Sequence, residues 1–143
     1  MGKKTVLAFG TFDLLHPGHV SYLSQAKALG DRLVVIVATD ANVSKIKGKA
    51  PVNSQEARRE LVAALRIVDE AIVGVEDDMI RSVEKVRPDI VALGYDQKPE
   101  NEKLKKMFEE RGIRALIARL APYKTENYKS SKIREKIVGL REG

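Results

Sequence analysis

The amino-acid sequence predicts an α/β protein built on an open, parallel, doubly wound sheet of five strands. Three observations carry that expectation. Short apolar runs occur at 5–9, 32–39, 71–75, 89–94 and 113–120, and stretches of helical periodicity separate them. Strict alternation of strand and helix makes the strands parallel, because each return to the sheet crosses one of its faces. The runs are continuously apolar, RLVVIVAT at 32–39 above all, as suits strands covered on both sides. No repeat, low-complexity stretch or linker divides the 143 residues. One domain, 1–143, is therefore expected, long enough to bury a core without staples.

TVLAF at 5–9 runs into Gly10, as a buried first strand does. A helix starts at Pro17, carries Val20, Leu23, Ala26 and Leu29 at near-helical spacing, and stops at Gly30. After the second strand, DANVSKIKGKAPV at 40–52 reads as a polar connection that sets Lys45, Lys47 and Lys49 around Gly48. Asn53 with Glu56 three residues on has the form of a capping box, and Ala57, Leu61, Leu65 and Val68 make one helix face. AIVGV at 71–75 is the third strand. Asp77 and Asp78 open a helix with Ile80, Val83 and Val86 that ends near Pro88. DIVALG at 89–94 is the fourth strand and leads into YDQKPEN. A helix over 103–111 stops at Gly112, and IRALIARL at 113–120 is the fifth strand. Beyond the polar loop YKTENYKSS, Ile133, Ile137 and Leu140 mark a final helix.

Composition narrows the chemistry. The absence of cysteine excludes disulfides, a thiol nucleophile and thiolate metal sites. No apolar run reaches membrane-spanning length, and MGKKTVLAF lacks a signal-peptide layout, so a soluble, cytoplasmic protein with no membrane partner is expected. The 26 Lys and Arg against 20 Asp and Glu give a net charge of +6, which suits an anionic partner or simply a well-solvated surface. With 3 Phe, 4 Tyr, no Trp and no single basic stripe, the partner is expected to be a small phosphorylated molecule and not a nucleic acid.

One stretch organises the rest: GTFDLLHPGHV at 10–20, between the first strand and the first helix. It holds the only two histidines, His16 and His19, three positions apart with Pro17 and Gly18 between them. Pro at the first helical position and an adjacent Gly make a preorganised helix start that a ligand can approach closely. Such a start favours an anion, usually phosphate, through its backbone N–H groups and the positive end of the helix dipole. Two imidazoles there add donors for phosphate and for charge developing on it. A lone histidine in this position is more often a cap; a pair confined to one turn is harder to explain that way.

GTFDLLHPGH resembles the HxGH signature of the nucleotidyltransferase superfamily, in its cytidylyltransferase-like branch. The resemblance runs from about Lys4 to about Val138. It implies a Rossmann-like sheet of strand order 3-2-1-4-5, with the loops at 10–19 and 94–97 meeting over one crevice at the switch in strand order. It also implies direct attack of an acceptor phosphate on the α-phosphate of a nucleoside triphosphate, with pyrophosphate leaving. His16 and His19 would then contact the triphosphate and stabilise the transition state. Thr11 and Phe12 would present backbone to the nucleotide, Pro17 would open the binding turn, and Gly18 would allow close approach.

Three further stretches match family positions. SQEAR at 54–58 places Arg58 where the family has a helix-borne arginine directed at the phosphates. Apart from the resemblance, Lys45, Lys47 and Lys49 of the polar connection are placed to close over phosphates as a lid, with Lys45 and Lys47 as phosphate contacts, or are simply solvated. KTENYKSSKI at 124–133 resembles the cytidylyltransferase pattern RTEGISTTKI, and gives Lys124, Ser130 and Ser131 to the triphosphate. Lys124 stands there for Arg, and Lys129 for Ser. LGYDQ at 93–97 resembles archaeal FAD synthases most, and puts Asp96 on the ribose or base. The resemblance thus implies adenylyl transfer from ATP to FMN, with Mg²⁺ or a similar divalent cation held mainly by substrate phosphates and no protein metal site. It further implies a homodimer. Heptose-phosphate adenylyltransferase, glycerol-3-phosphate cytidylyltransferase and, from another class, a non-catalytic nucleotide- or RNA-binding module are the alternatives.

Overall fold

The computed structural model of the chain describes residues 3–122. The polar loop and final helix expected near the C-terminus, with Lys124, Ser130 and Ser131, lie outside the described residues. The elements alternate as β1 (Thr5–Gly10), α1 (Pro17–Ala28), β2 (Arg32–Val37), α2 (Asp40–Lys47), α3 (Gln55–Ala63), β3 (Glu70–Val73), α4 (Met79–Val86), β4 (Ile90–Leu93), α5 (Asn101–Glu110) and β5 (Leu116–Arg119). The strands form one parallel sheet in the order β3-β2-β1-β4-β5.

Side chains of a strand alternate between faces, and here both faces are covered. On β1, Val6 and Ala8 join a cluster with Leu23 and Ala26 of α1 and Val62 of α3. Leu7 and Phe9 point the other way, into Ile80 and Val83 of α4 and Leu104 and Phe108 of α5. Strand β2 repeats the division, with Leu33, Val35 and Val37 on the first side and Val34 and Ile36 on the second. Burial of each such side chain is worth about 1.5–3 kcal/mol, so the two apolar layers fix the register of the central strands.

The structure departs from the sequence reading at four places. Residues 40–47 form a helix where a polar connection was expected. The Thr39 hydroxyl accepts from Asn42 N–H at 3.1 Å, and Gly48, at φ 74°, closes the last turn through its N–H to Ser44 O at 2.8 Å. Caps at both ends hold this short helix although Val43 is its only buried residue. The cap of α3 is Ser54, whose Oγ accepts from Ala57 N–H; Asn53 turns inward instead. Its buried face carries Arg58 and Val62, while Leu61 is exposed, because a buried guanidinium occupies the place of an apolar side chain. On α1, Leu23 and Ala26 are buried, but Val20 and Leu29 face outward. Strands β2 to β5 are also shorter than their apolar runs, since the ladders end where the chain bends into its turns.

Candidate active site

The turn after β1 is shaped by one aromatic ring. Phe12 adopts φ 53°, the left-handed region that a non-glycine residue seldom visits, and is almost fully buried. Its ring meets the His19 ring edge-on at 5.3 Å and stacks on Tyr22 at 6.5 Å. A Cβ on Gly10 would lie 3.1 Å from that ring, so the glycine makes room for it. Asp13, 3% exposed, closes the turn from the other side. Its carboxylate accepts from the N–H groups of Val52 and Asn53, each at 2.8 Å, and its carbonyl accepts from Asn53 Nδ2.

Arg58 ties this turn to α2. Nη1 donates to Thr11 O at 2.8 Å, Nε to Asn53 O at 3.0 Å, and Nη2 to Asp40 Oδ1 at 2.8 Å. The guanidinium has no exposed surface. It braces the turn after β1 from behind, where the resemblance had it directed at the phosphates. Asp40 N–H is in turn held by Gln55 Oε1 at 2.8 Å.

The two histidines sit at the start of α1 with their rings stacked 3.8 Å apart at 26°. His16 is the N-cap: its Nδ1 accepts from Gly18 N–H at 3.1 Å, while His16 N–H donates to Nδ1 of His19 at 3.3 Å. The Gly18 N–H is therefore bonded within the turn and not free. An accepting Nδ1 places the proton of a neutral ring on Nε2, so this network assigns both imidazoles as Nε2–H donors. Burial holds the His19 pKa down to about 3, with the neighbouring His16 and Lys47 adding to the effect, and burial also lowers that of His16. Both rings are neutral at pH 7. They offer donors without a built-in charge. Beside them, Leu15, His16, Pro17, Val20 and Ser21 line a cleft of about 530 Å³.

The crevice opens where β1 and β4 part. Their pairing ends at Ala8 and Ala92, leaving the next backbone groups of β1 without ladder partners. Side chains satisfy them, as buried backbone polar groups require. Phe9 N–H donates to the Tyr22 hydroxyl at 3.2 Å, and that hydroxyl donates to Ala92 O at 2.7 Å. Burial raises the Tyr22 pKa, so the phenol keeps its proton. Phe9 O accepts from Gln97 Nε2 at 2.6 Å, and Gln97 Oε1 accepts from Gly94 N–H at 2.7 Å. The 94–97 loop is thereby fastened to the end of β1, with Tyr95 and Asp96 exposed.

The structure thus brings together Thr11, Phe12, His16, Pro17, Gly18 and His19, and attaches the Asp96 loop next to them. Lys47 is exposed yet near enough to His19 to act on its charge. Lys45 turns to Asp77, at 2.5 Å. Among the described residues, no group of three or more His, Cys, Asp or Glu is placed to hold a metal ion. Sequence reasoning missed Asp13, Tyr22, Asp40 and Gln97. Asp13 lies inside the TFD string and was the one within reach, whereas the roles of Tyr22 and Gln97 depend on where a ladder stops.

A parallel sheet with a histidine-capped turn at its switch point defines a nucleotide-handling α/β enzyme. The cytidylyltransferase-like family matches residues 7–136, and the chain belongs to it; it is a nucleotidyltransferase. It is 51% identical to an FAD synthase of Ferroglobus placidus, over 96% of this chain and 90% of that protein. An FAD synthase of Picrophilus torridus is 45% identical over 94% of this chain and 96% of its own length. A crystal structure of a protein from Thermoplasma volcanium GSS1, described as a lipopolysaccharide core biosynthesis protein, superposes with a TM-score of 0.82 at 43% identity, covering 86% of this chain and all of that one. No helix among the described residues is long and apolar enough to cross a membrane.

Proposed function

We propose that this chain is an FAD synthase, transferring the adenylyl group of ATP to FMN. The observation that carries the mechanism is the stacked pair of neutral imidazoles, each with Nδ1 engaged and Nε2–H left to donate. A phosphate oxygen of FMN attacks the α-phosphorus of ATP. The new P–O bond forms as the bond from that phosphorus to the bridging oxygen breaks, and pyrophosphate leaves. No proton need move, since a phosphate monoester is largely dianionic at pH 7. The protein has to align the groups and stabilise the spreading negative charge. His16 and His19 do this through their Nε2–H groups, and Lys47 adds charge from α2. Lys45 joins by releasing Asp77.

Lys124, Ser130 and Ser131 complete the triphosphate contacts in this reading, and Asp96 accepts from the nucleoside. A divalent cation bound mainly through substrate phosphates and water would supply positive charge for the leaving pyrophosphate. The active species is a homodimer in the cytoplasm.

The similarity to a protein described as acting in lipopolysaccharide core synthesis favours a second reading, adenylyl transfer to a sugar phosphate. Pyrophosphate release measured with ATP, CTP and GTP against FMN, heptose phosphate and glycerol 3-phosphate decides between them. ATP with FMN and Mg²⁺ should be the productive combination. Turnover with a sugar phosphate and none with FMN would reverse the assignment. Tight RNA binding with no pyrophosphate from any pair would move the chain to the binding-module class.

A further inference from the structure

The loop between β4 and α5 has little regular structure of its own, yet one side chain gathers it. Arg119, the last residue of β5, lies beside Leu93 in the sheet register. Its Nη1 donates to Gly94 O at 2.8 Å and to Gln97 O at 2.7 Å. Nη2 donates to Asn101 Oδ1 at 2.6 Å and to Pro99 O at 3.3 Å, and Nε donates to Asn101 Oδ1 at 3.1 Å. A guanidinium has five N–H donors in one rigid plane, and here the loop and the first residue of α5 engage them all. Lysine, with three donors on a flexible stem, cannot reproduce that pattern.

We infer that Arg119 is a positioning residue for nucleotide recognition, holding the 94–97 loop in its nucleoside-receiving shape before any ligand arrives. Together with Gln97, which fastens the same loop to Phe9 O, it braces the loop from both sides. Tyr95 and Asp96 at the tip stay exposed while the backbone behind them is fixed. A preformed loop loses less freedom when it binds, so the bracing becomes affinity. The phosphate-binding turn has its own supports: Asp13 holds Val52 and Asn53, and Arg58 holds Thr11, Asn53 and Asp40, whereas Arg119 engages Gly94, Gln97, Pro99 and Asn101. Arg119 therefore acts on the nucleoside half of ATP and leaves the pyrophosphate half alone. This inference rests on the reading that the 94–97 loop receives the nucleoside.

The test is direct titration of the full chain with Mg-ATP and with pyrophosphate, without acceptor, so it is independent of whether FMN is the substrate. Arg119→Met should weaken ATP binding about tenfold and pyrophosphate binding less than twofold. It should also narrow the ratio of ATP to CTP affinity. Arg119→Lys should fall between it and the wild type. Gln97→Glu, which keeps an acceptor for Gly94 N–H but removes the donor to Phe9 O, should reproduce the ATP loss, and it decides the matter if Arg119→Met does not fold. Equal weakening of ATP and pyrophosphate, unchanged ATP affinity, or failure of both variants to fold would overturn the inference. Wild-type protein that binds ATP yet transfers nothing to FMN would instead overturn the proposed substrate.

Discussion

Replacing Arg58 with alanine separates a brace from a phosphate ligand. The side chain is fully buried, and its removal strips donors from Thr11 O, Asn53 O and Asp40 Oδ1 at once. Deleting one partner of a fully buried ion pair costs about 3–5 kcal/mol, an upper bound for this half-exposed pair, and each part-buried carbonyl left without its donor costs up to about 1–3 kcal/mol. The Asp40 side chain is 43% exposed, so water recovers part of its share. A net loss of about 3–5 kcal/mol follows, because these contributions overlap and do not add in full. For a chain of this length each kcal/mol lowers Tm by about 2–4 °C, so Arg58→Ala should melt about 6–20 °C below wild type. Thermal melts by circular dichroism in the absence of ligand would measure it. Arg58→Lys should recover only a part, since an ammonium cannot span three acceptors in a plane. The reasoning is refuted if Arg58→Ala melts within about 2 °C of wild type while its affinity for pyrophosphate falls tenfold. That pattern belongs to a residue touching the phosphates.

Other perturbations test the remaining parts of the site. His16→Ala and His19→Ala should each lower turnover roughly 10²-fold, about 3 kcal/mol of barrier, as measured by pyrophosphate release. His16→Ala should also lose a helix cap worth about 1 kcal/mol, which a denaturant titration would reveal as a small fall in midpoint. His19 has a folded pKa of about 3 against an ordinary 6.5, so the unfolded chain binds a proton that the native state refuses. Its contribution to stability is present above about 6.5 and is lost as pH falls towards 3. Denaturation measured across that window should show the loss, and His19→Gln should flatten the curve. Asp96→Ala should raise the Michaelis constant for ATP about tenfold and change inhibition by pyrophosphate much less; equal weakening would place Asp96 at the phosphates or in the scaffold.

The sheet was legible because its strands are buried on both faces, which writes them as unbroken apolar runs such as RLVVIV. The strand order followed from the resemblance and was found as expected, and the 94–97 loop is fastened to Phe9 at the end of β1. Helix α2 was hidden because end caps hold it and one buried valine leaves no periodic stripe to read. Arg58 was assigned to the phosphates on the resemblance, and only the positions of Thr11 O, Asn53 O and Asp40 make it a core residue. The histidines were legible as a pair, but their tautomers were not. Those follow from which nitrogen meets a backbone N–H.

The two walls of the crevice are fastened separately. Asp13 and Arg58 bolt the turn after β1 to α2 and the segment before α3, whereas Gln97 and Arg119 bolt the opposite loop to the ends of β1 and β5. Such a site is modular. On the proposed function, one wall could be rebuilt by mutation for a different base while the other kept its phosphate contacts, and the effects of changes on the two sides should combine as independent increments. A lineage that shifted its nucleotide would not have had to reinvent its chemistry.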